Sequence, residues 1–167
     1  MSNLFKDYLA SLGAPNFGEY WEGQGGILAA FRPGKGDHPE SFLIRSIDVG
    51  SDLEWGPYGI RIEGADDHYD GRANTAALVK SGHTHPAAEW AAAYTRDGHK
   101  DFYLPARREL SLIEASGAAE DVKGWIHSST QYSADGAWGQ DFYDGYADCW
   151  SKGTKAGALA VRRSFLL

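Results

Sequence analysis

Apolar residues recur at helical spacing from Asn3 to Leu12, where Leu4, Phe5, Tyr8, Leu9 and Leu12 share one face. Gly13, Pro15 and Gly18 end that pattern. A helix of about ten residues is marginal alone in water, so this one must dock, either on its own domain or on another molecule. The spacing therefore divides the chain into an attachment segment, residues 1–20, and a main domain, residues 21–167.

Past Gly23-Gln24-Gly25-Gly26 the period shortens. Ile27 to Phe31 and Ser41 to Ile47 read as two strands of a hairpin whose long tip, Arg32 to Pro39, is rich in Gly and Pro. Asp48 to Asn74 shows neither period and reads as irregular. Helical spacing returns after Pro86, with Ala87, Trp90, Ala91 and Tyr94 on one face and Gly98 as terminator. A second helix starts at Pro105, turns Leu110 and Ile113 inward and stops at Gly117. From Trp125 onward four strands are predicted: Trp125 to Thr130, Ala137 to Phe142, Tyr146 to Ser151 and Leu159 to Phe165. Their separators, Ala134-Asp135-Gly136, Asp144-Gly145 and Gly153 to Gly157, have turn chemistry. Hairpin, two helices and meander make an α+β domain.

Composition sharpens this picture in three respects. The 167 residues suit one domain, and 21 glycines with six tryptophans and nine tyrosines point to a loop-rich, aromatic fold. The net charge of −7, with no run of Lys or Arg, disfavours nucleic acid, which needs a clustered positive face. Cys149 is the sole cysteine, so no disulfide can form within the chain. Met1 to Lys6 lacks the basic flank and apolar core of a secretory signal, and no apolar stretch approaches the ~20 residues that span a bilayer. The expectation is synthesis in the cytoplasm and no membrane insertion.

Candidate chemistry is sparse. Ser128, Ser129 and Thr130 lack a nucleophile elbow, and His127 points to the face opposite Ser128, so serine catalysis is not expected. Asp66 to Gly71 resembles a calcium loop only superficially, with His68 at the third position and Ala77 at the twelfth. A non-standard site from Asp66, Asp67 and Asp70 stays open. His83, His85 and His99 offer fewer clear donors than zinc requires, and His85 can instead cap the helix at Pro86. No cofactor or metal is expected. The aromatic stretch is the best binding candidate: Tyr132, Tyr143, Tyr146 and Trp150 could stack on sugars or fill a partner's pocket, whereas Trp138 and Phe142 share a parity that suits the core.

The order Asp101-Phe-Tyr-Leu-Pro105, Glu109-Leu110, Trp125-Ile-His-Ser128-Ser129-Thr130, Ala137-Trp138, Asp144-Gly145 and Val161-Arg162-Arg163 resembles one family. It is the lectin-like domain first met at the C-terminus of a Legionella collagen-like adhesin, with many phage and prophage versions. Gly23-Gln24-Gly25-Gly26, Asp70-Gly71 with Asn74-Thr75, and Pro86-Ala87-Ala88 are similar to the phage-type members. The resemblance implies a C-type-lectin-like fold, two helices packed on an antiparallel sheet in which the N- and C-terminal strands pair. It implies binding rather than catalysis, often in trimers, and a buried ion pair between Glu109 and Arg162. Formylglycine-generating enzymes share the fold but need two cysteines, which Cys149 alone cannot supply. The expected function is a non-enzymatic virion-associated protein, a head or tail decoration or a fibre tip. Its partners would be virion proteins, further copies of itself or host surface glycans. A free bacterial lectin-like protein is the alternative.

Overall fold

The computed structural model describes residues 3–165. Four helices and nine strands are described: α1 (Asn3–Ser11), β1 (Tyr20–Trp21), β2 (Gly26–Arg32), β3 (Ser41–Arg45), β4 (Gly50–Leu53), α2 (Gly71–Lys80), α3 (Pro86–Ala93), α4 (Arg107–Ala115), β5 (Trp125–Gln131), β6 (Gly136–Asp141), β7 (Ala147–Ser151), β8 (Ala156–Ala158) and β9 (Val161–Phe165). The architecture is α+β. One sheet has the order β1-β2-β3-β9 and is antiparallel throughout; the other has the order β4-β8-β5-β6-β7 and is antiparallel except for the β5–β8 pair.

The terminal strands do share a sheet, but they are not neighbours. Val161–Phe165 pairs with β3, in the register Leu43↔Arg163 and Ile44↔Arg162, and β3 separates it from β2. The reason is that the outer edge of β2 is already occupied. Tyr20 and Trp21 pair there, Gly18 donates to the Leu28 carbonyl and Leu28 donates to that of Glu19. Of the two hairpin strands, only β3 offers a free edge.

Strand alternation sends β2 and β3 side chains to two different cores. On one face Ala30, Leu43 and Val161 meet Leu110 and Ile113 of α4, together with Val122, Ile126 and Phe142. On the other, Leu28 and Phe42 are covered by Leu9 of α1, with Phe5, Leu12, Phe17 and Trp21 packed around them. The α1 helix is thus docked on its own domain: Leu9 is 1% exposed and Phe5 is half-buried, while Leu4, 81% exposed, and Tyr8 face outward. Removing α1 would uncover Leu28 and Phe42. A third core gathers Trp55, Ile62, Leu78, Ala87, Ala88 and Ala91 of α3, Phe102 and Leu104.

The α2 helix begins inside the segment expected to be irregular, Asp48 to Asn74, and runs on to Lys80. Its buried residues, Gly71, Asn74, Thr75 and Leu78, do recur at helical spacing, but three of the four are not hydrophobic. Each has a specific task. Asp70 caps the helix by accepting from the Ala73 N–H. A Cβ on Gly71 would collide with the Ala106 nitrogen and the Leu104 carbonyl. Asn74 holds both backbone groups of Asp67, and Thr75 exchanges hydrogen bonds with the backbone of Leu104. Among the described residues no helix is long and apolar enough to cross a membrane.

Candidate functional site

The most heavily bonded charge is Glu109, 1% exposed at the third position of α4. Its Oε2 accepts from the N–H groups of Gly71 and Ala106 at 3.1 and 3.0 Å, which ties off the start of α4. Its Oε1 accepts from the Tyr103 hydroxyl at 3.0 Å and Arg163 Nη2 at 2.8 Å, with Arg32 Nε at 3.3 Å. Arg163 also reaches Asp70 at 3.0 Å. The expected Glu109–Arg162 pair is therefore corrected to Glu109–Arg163. Arg163 is two residues from Val161 and shares its core-facing side of β9; Arg162 points the other way. There Arg162 makes a two-pronged contact with Asp101, at 2.8 and 3.3 Å, and donates to the Gln24 side chain at 2.8 Å. The Arg162 guanidinium holds the Asp101 carboxyl below the usual carboxylate range, against the opposing effect of burial. Burial pushes the Tyr103 hydroxyl well up, aided by the Glu109 charge.

The residues that could suggest catalysis or metal binding are committed to structure. Ser128 donates to the Trp138 carbonyl, Thr130 donates to that of Asp67, and the Ser129 N–H is held by the Pro105 carbonyl. Asp66 pairs with Arg61, Asp67 accepts from the N–H groups of Tyr69 and Asp70, and Asp70 serves α2 and Arg163. The three carboxylates are thus turned to different partners. His85 occupies the cap position of α3, but its ring turns inward to the Trp55 carbonyl at 3.0 Å, and Glu89 accepts the His85 N–H instead. His99 contacts the Gly23 carbonyl. Among the described residues no group of three or more His, Cys, Asp or Glu side chains converges as a metal site.

Lys152 is a residue the sequence pattern does not single out. It is fully buried, donates to the Ile60 carbonyl at 2.6 Å and to Gln131 Oε1 at 3.0 Å, and sits 4.7 Å from the centre of the Trp55 ring. Gln131 also exchanges hydrogen bonds with both backbone groups of Ile62. An ammonium thus organises the irregular segment before α2. Burial draws its pKa down from 10.5 to about 8, with Arg61 adding to the effect and Asp135 opposing it.

The aromatic candidates fall into two groups on opposite faces of the β5–β6–β7 meander. On the first face Trp125 meets Trp150 edge-on at 4.8 Å and Tyr146 at 6.3 Å, and Trp150 also leans on His127 at 5.6 Å. The outer edge of the Trp150 indole lies over Gly139, where any Cβ would collide with it, so the sequence Trp138-Gly139 leaves room for the ring. Beside it runs a groove of about 290 Å³ lined by Trp125, Asp148, Trp150, Thr154, Lys155 and Ala156. The Trp150 indole N–H and His127 Nδ1 are buried without a hydrogen-bond partner among the described residues. Burial lowers the His127 pKa, and its Nε2 bonds the Leu53 carbonyl at 2.8 Å.

On the second face exposed Tyr132 packs edge-on against Trp138 at 5.4 Å, and the Arg107 guanidinium lies 3.6 Å above the same indole. Trp138 is half-buried rather than core; Phe142 is buried as its parity suggests. Tyr143, 82% exposed, stands alone on the turn between β6 and β7. Of the four expected binding residues the fold therefore unites Tyr146 and Trp150, adds Trp125, and places Tyr132 and Tyr143 elsewhere. The pairing Trp125↔Asp141 carries Trp125 into this cluster, and only the strand register reveals it.

No protein-family model matches the chain, and no curated protein matches it.

Proposed function

We propose that the chain is a non-enzymatic binding protein with a C-type-lectin-like fold, associated with a phage or prophage virion, where it contacts host surface glycans or neighbouring virion proteins. The observation that carries the reading is the groove beside Trp125 and Trp150. Two indole rings offer apolar faces on which a sugar ring can stack, while Asp148, Thr154 and Lys155 place acceptors and donors on the rim for its hydroxyls. The lectin-like part is supported by how the recognised motifs cooperate. Gln24 from the glycine-rich stretch, Asp101 at the head of the Asp-Phe-Tyr-Leu-Pro run and Arg162 of the last strand meet in one cluster. Asp70, Glu109 and Arg163 meet in another. One observation favours the alternative, a free bacterial lectin-like protein: α1 spends Phe5 and Leu9 on its own domain, leaving Leu4 and Tyr8 as its only large outward apolar groups.

The test is a glycan screen with the full chain, followed by titration of the best ligand against Lys155→Ala and Trp150→Ala, both lining residues. Each should weaken binding about tenfold, equivalent to about 1.4 kcal/mol, with Lys155→Ala, an exposed position, leaving the melting temperature unchanged. Binding that ignores both substitutions removes the groove from the reading. Mass spectrometry of purified particles tests the virion assignment separately.

A further inference from the structure

A second concavity, of about 400 Å³, opens between the tip of the β2–β3 hairpin, Tyr69 and the outer face of α4. It shares no residue with the aromatic groove. Leu112 and Pro33 supply apolar walls, and Tyr69 supplies a ring. Three cations, Arg32, Lys35 and Arg108, line it against one carboxylate, Glu109, in a chain whose net charge is −7.

That carboxylate is already neutralised. Arg163 and Arg32 both contact it, and two backbone N–H groups and the Tyr103 hydroxyl use its remaining acceptor positions. Arg32 is committed as well, donating to the carbonyls of Pro39 and Tyr69 besides its contact with Glu109. It is a positioning residue that holds the hairpin tip and Tyr69 in place. The two cations left over, Lys35 and Arg108, are exposed and have no carboxylate partner among the described residues. Lys35 sits 3.1 Å above the Tyr69 ring, which fixes its ammonium at the mouth.

We propose that this cleft binds a small organic acid, a carboxylate carried on an apolar body. Lys35 and Arg108 hold the carboxylate, the guanidinium through paired N–H donors, and the body lies against Leu112, Pro33 and the Tyr69 ring. A bare inorganic anion uses only half of this surface, and a neutral ligand leaves both cations unanswered.

The experiment is an amide NMR titration of the full-length chain with phenylacetate, benzyl alcohol and inorganic phosphate. Phenylacetate should shift the amides of Lys35, Tyr69, Arg108 and Leu112 saturably, while those of Trp125 and Trp150 stay still. The Lys35→Gln/Arg108→Gln double variant should bind at least tenfold more weakly with its melting temperature unchanged, because both side chains are exposed. Lys35→Arg should retain binding. The proposal is overturned if phenylacetate leaves the cleft amides unmoved, if benzyl alcohol or phosphate binds as tightly, or if the double variant binds within twofold of the parent.

Discussion

Replacing Glu109 by Gln is the most stringent test of how α2 and α4 are locked to the sheet that holds β2 and β9. The carboxylate accepts on both oxygens: two backbone N–H groups on Oε2, and the Tyr103 hydroxyl and two guanidinium groups on Oε1. A carboxamide must turn its NH₂ toward one set or the other, so donors face donors whichever way it lies. Its neutral charge also leaves Arg32 without a counter-ion and Arg163 with Asp70 alone. Breaking a buried pair of this kind costs about 3–5 kcal/mol. For a domain of this size that lowers the melting temperature by on the order of 10 °C. Urea and thermal unfolding followed by circular dichroism measure both quantities, and Arg163→Gln should behave similarly. Arg162→Gln should cost only about 1 kcal/mol, since its partner Asp101 is 38% exposed and screened by water. A Glu109→Gln loss below ~1 kcal/mol, or Arg162→Gln proving as damaging as Arg163→Gln, refutes the reasoning.

Three further outcomes are expected. Lys152 keeps its proton to about pH 8 in the folded chain, whereas the unfolded chain holds it to about 10.5. Between these values the unfolded state binds more protons, so Lys152 contributes stability that rises with pH, by at most ~1.4 kcal/mol per pH unit. Urea unfolding of the parent and of Lys152→Met at pH 8 and 9.5 checks this: the variant should lack that increment, and an unchanged difference between the two proteins contradicts it. For α1, Leu9→Ala should cost about 2–5 kcal/mol by opening the core over Leu28 and Phe42. Leu4→Ser should leave unfolding within ~0.5 kcal/mol of the parent.

The hairpin, α4 and the first three strands of the meander were legible because their patterning is hydrophobic and their turns are chemically explicit; the fourth strand joins the other sheet, and Ala156–Ala158 forms β8 where Gly153 to Gly157 reads as a turn. Asp144-Gly145 does close β6 onto β7, with Gly145 at φ 78°. The α2 helix was not legible for a physical reason: Gly71, Asn74 and Thr75 are buried for close approach and hydrogen bonding, and hydropathy does not report that. Its only clear signal is Asp70, a good N-cap three residues before the N–H it accepts. The choice between Arg162 and Arg163 could be read from apolar Val161, whose parity Arg163 shares. The Trp125–Trp150 contact could not, since it depends on the register of three strands. Lys152 was invisible too, as its partners, Ile60 and Gln131, are a backbone carbonyl and a side-chain amide rather than a charge.

The placement of β9 has a consequence for the order of assembly. Five residues, Val161–Phe165, complete the sheet next to β3, close a bridge to Tyr103 and deliver the two arginines. Arg162 reaches back 138 positions to Gln24 and Arg163 reaches back 93 to Asp70. Contacts so distant along the polypeptide are costly to close and cannot form until the ribosome has released this stretch. The hairpin, α2 and α4 must therefore wait, loosely held, for a late clasp, and truncated translation products ending before Val161 would expose Leu43 and an unpaired strand edge to whatever chaperone or protease is near.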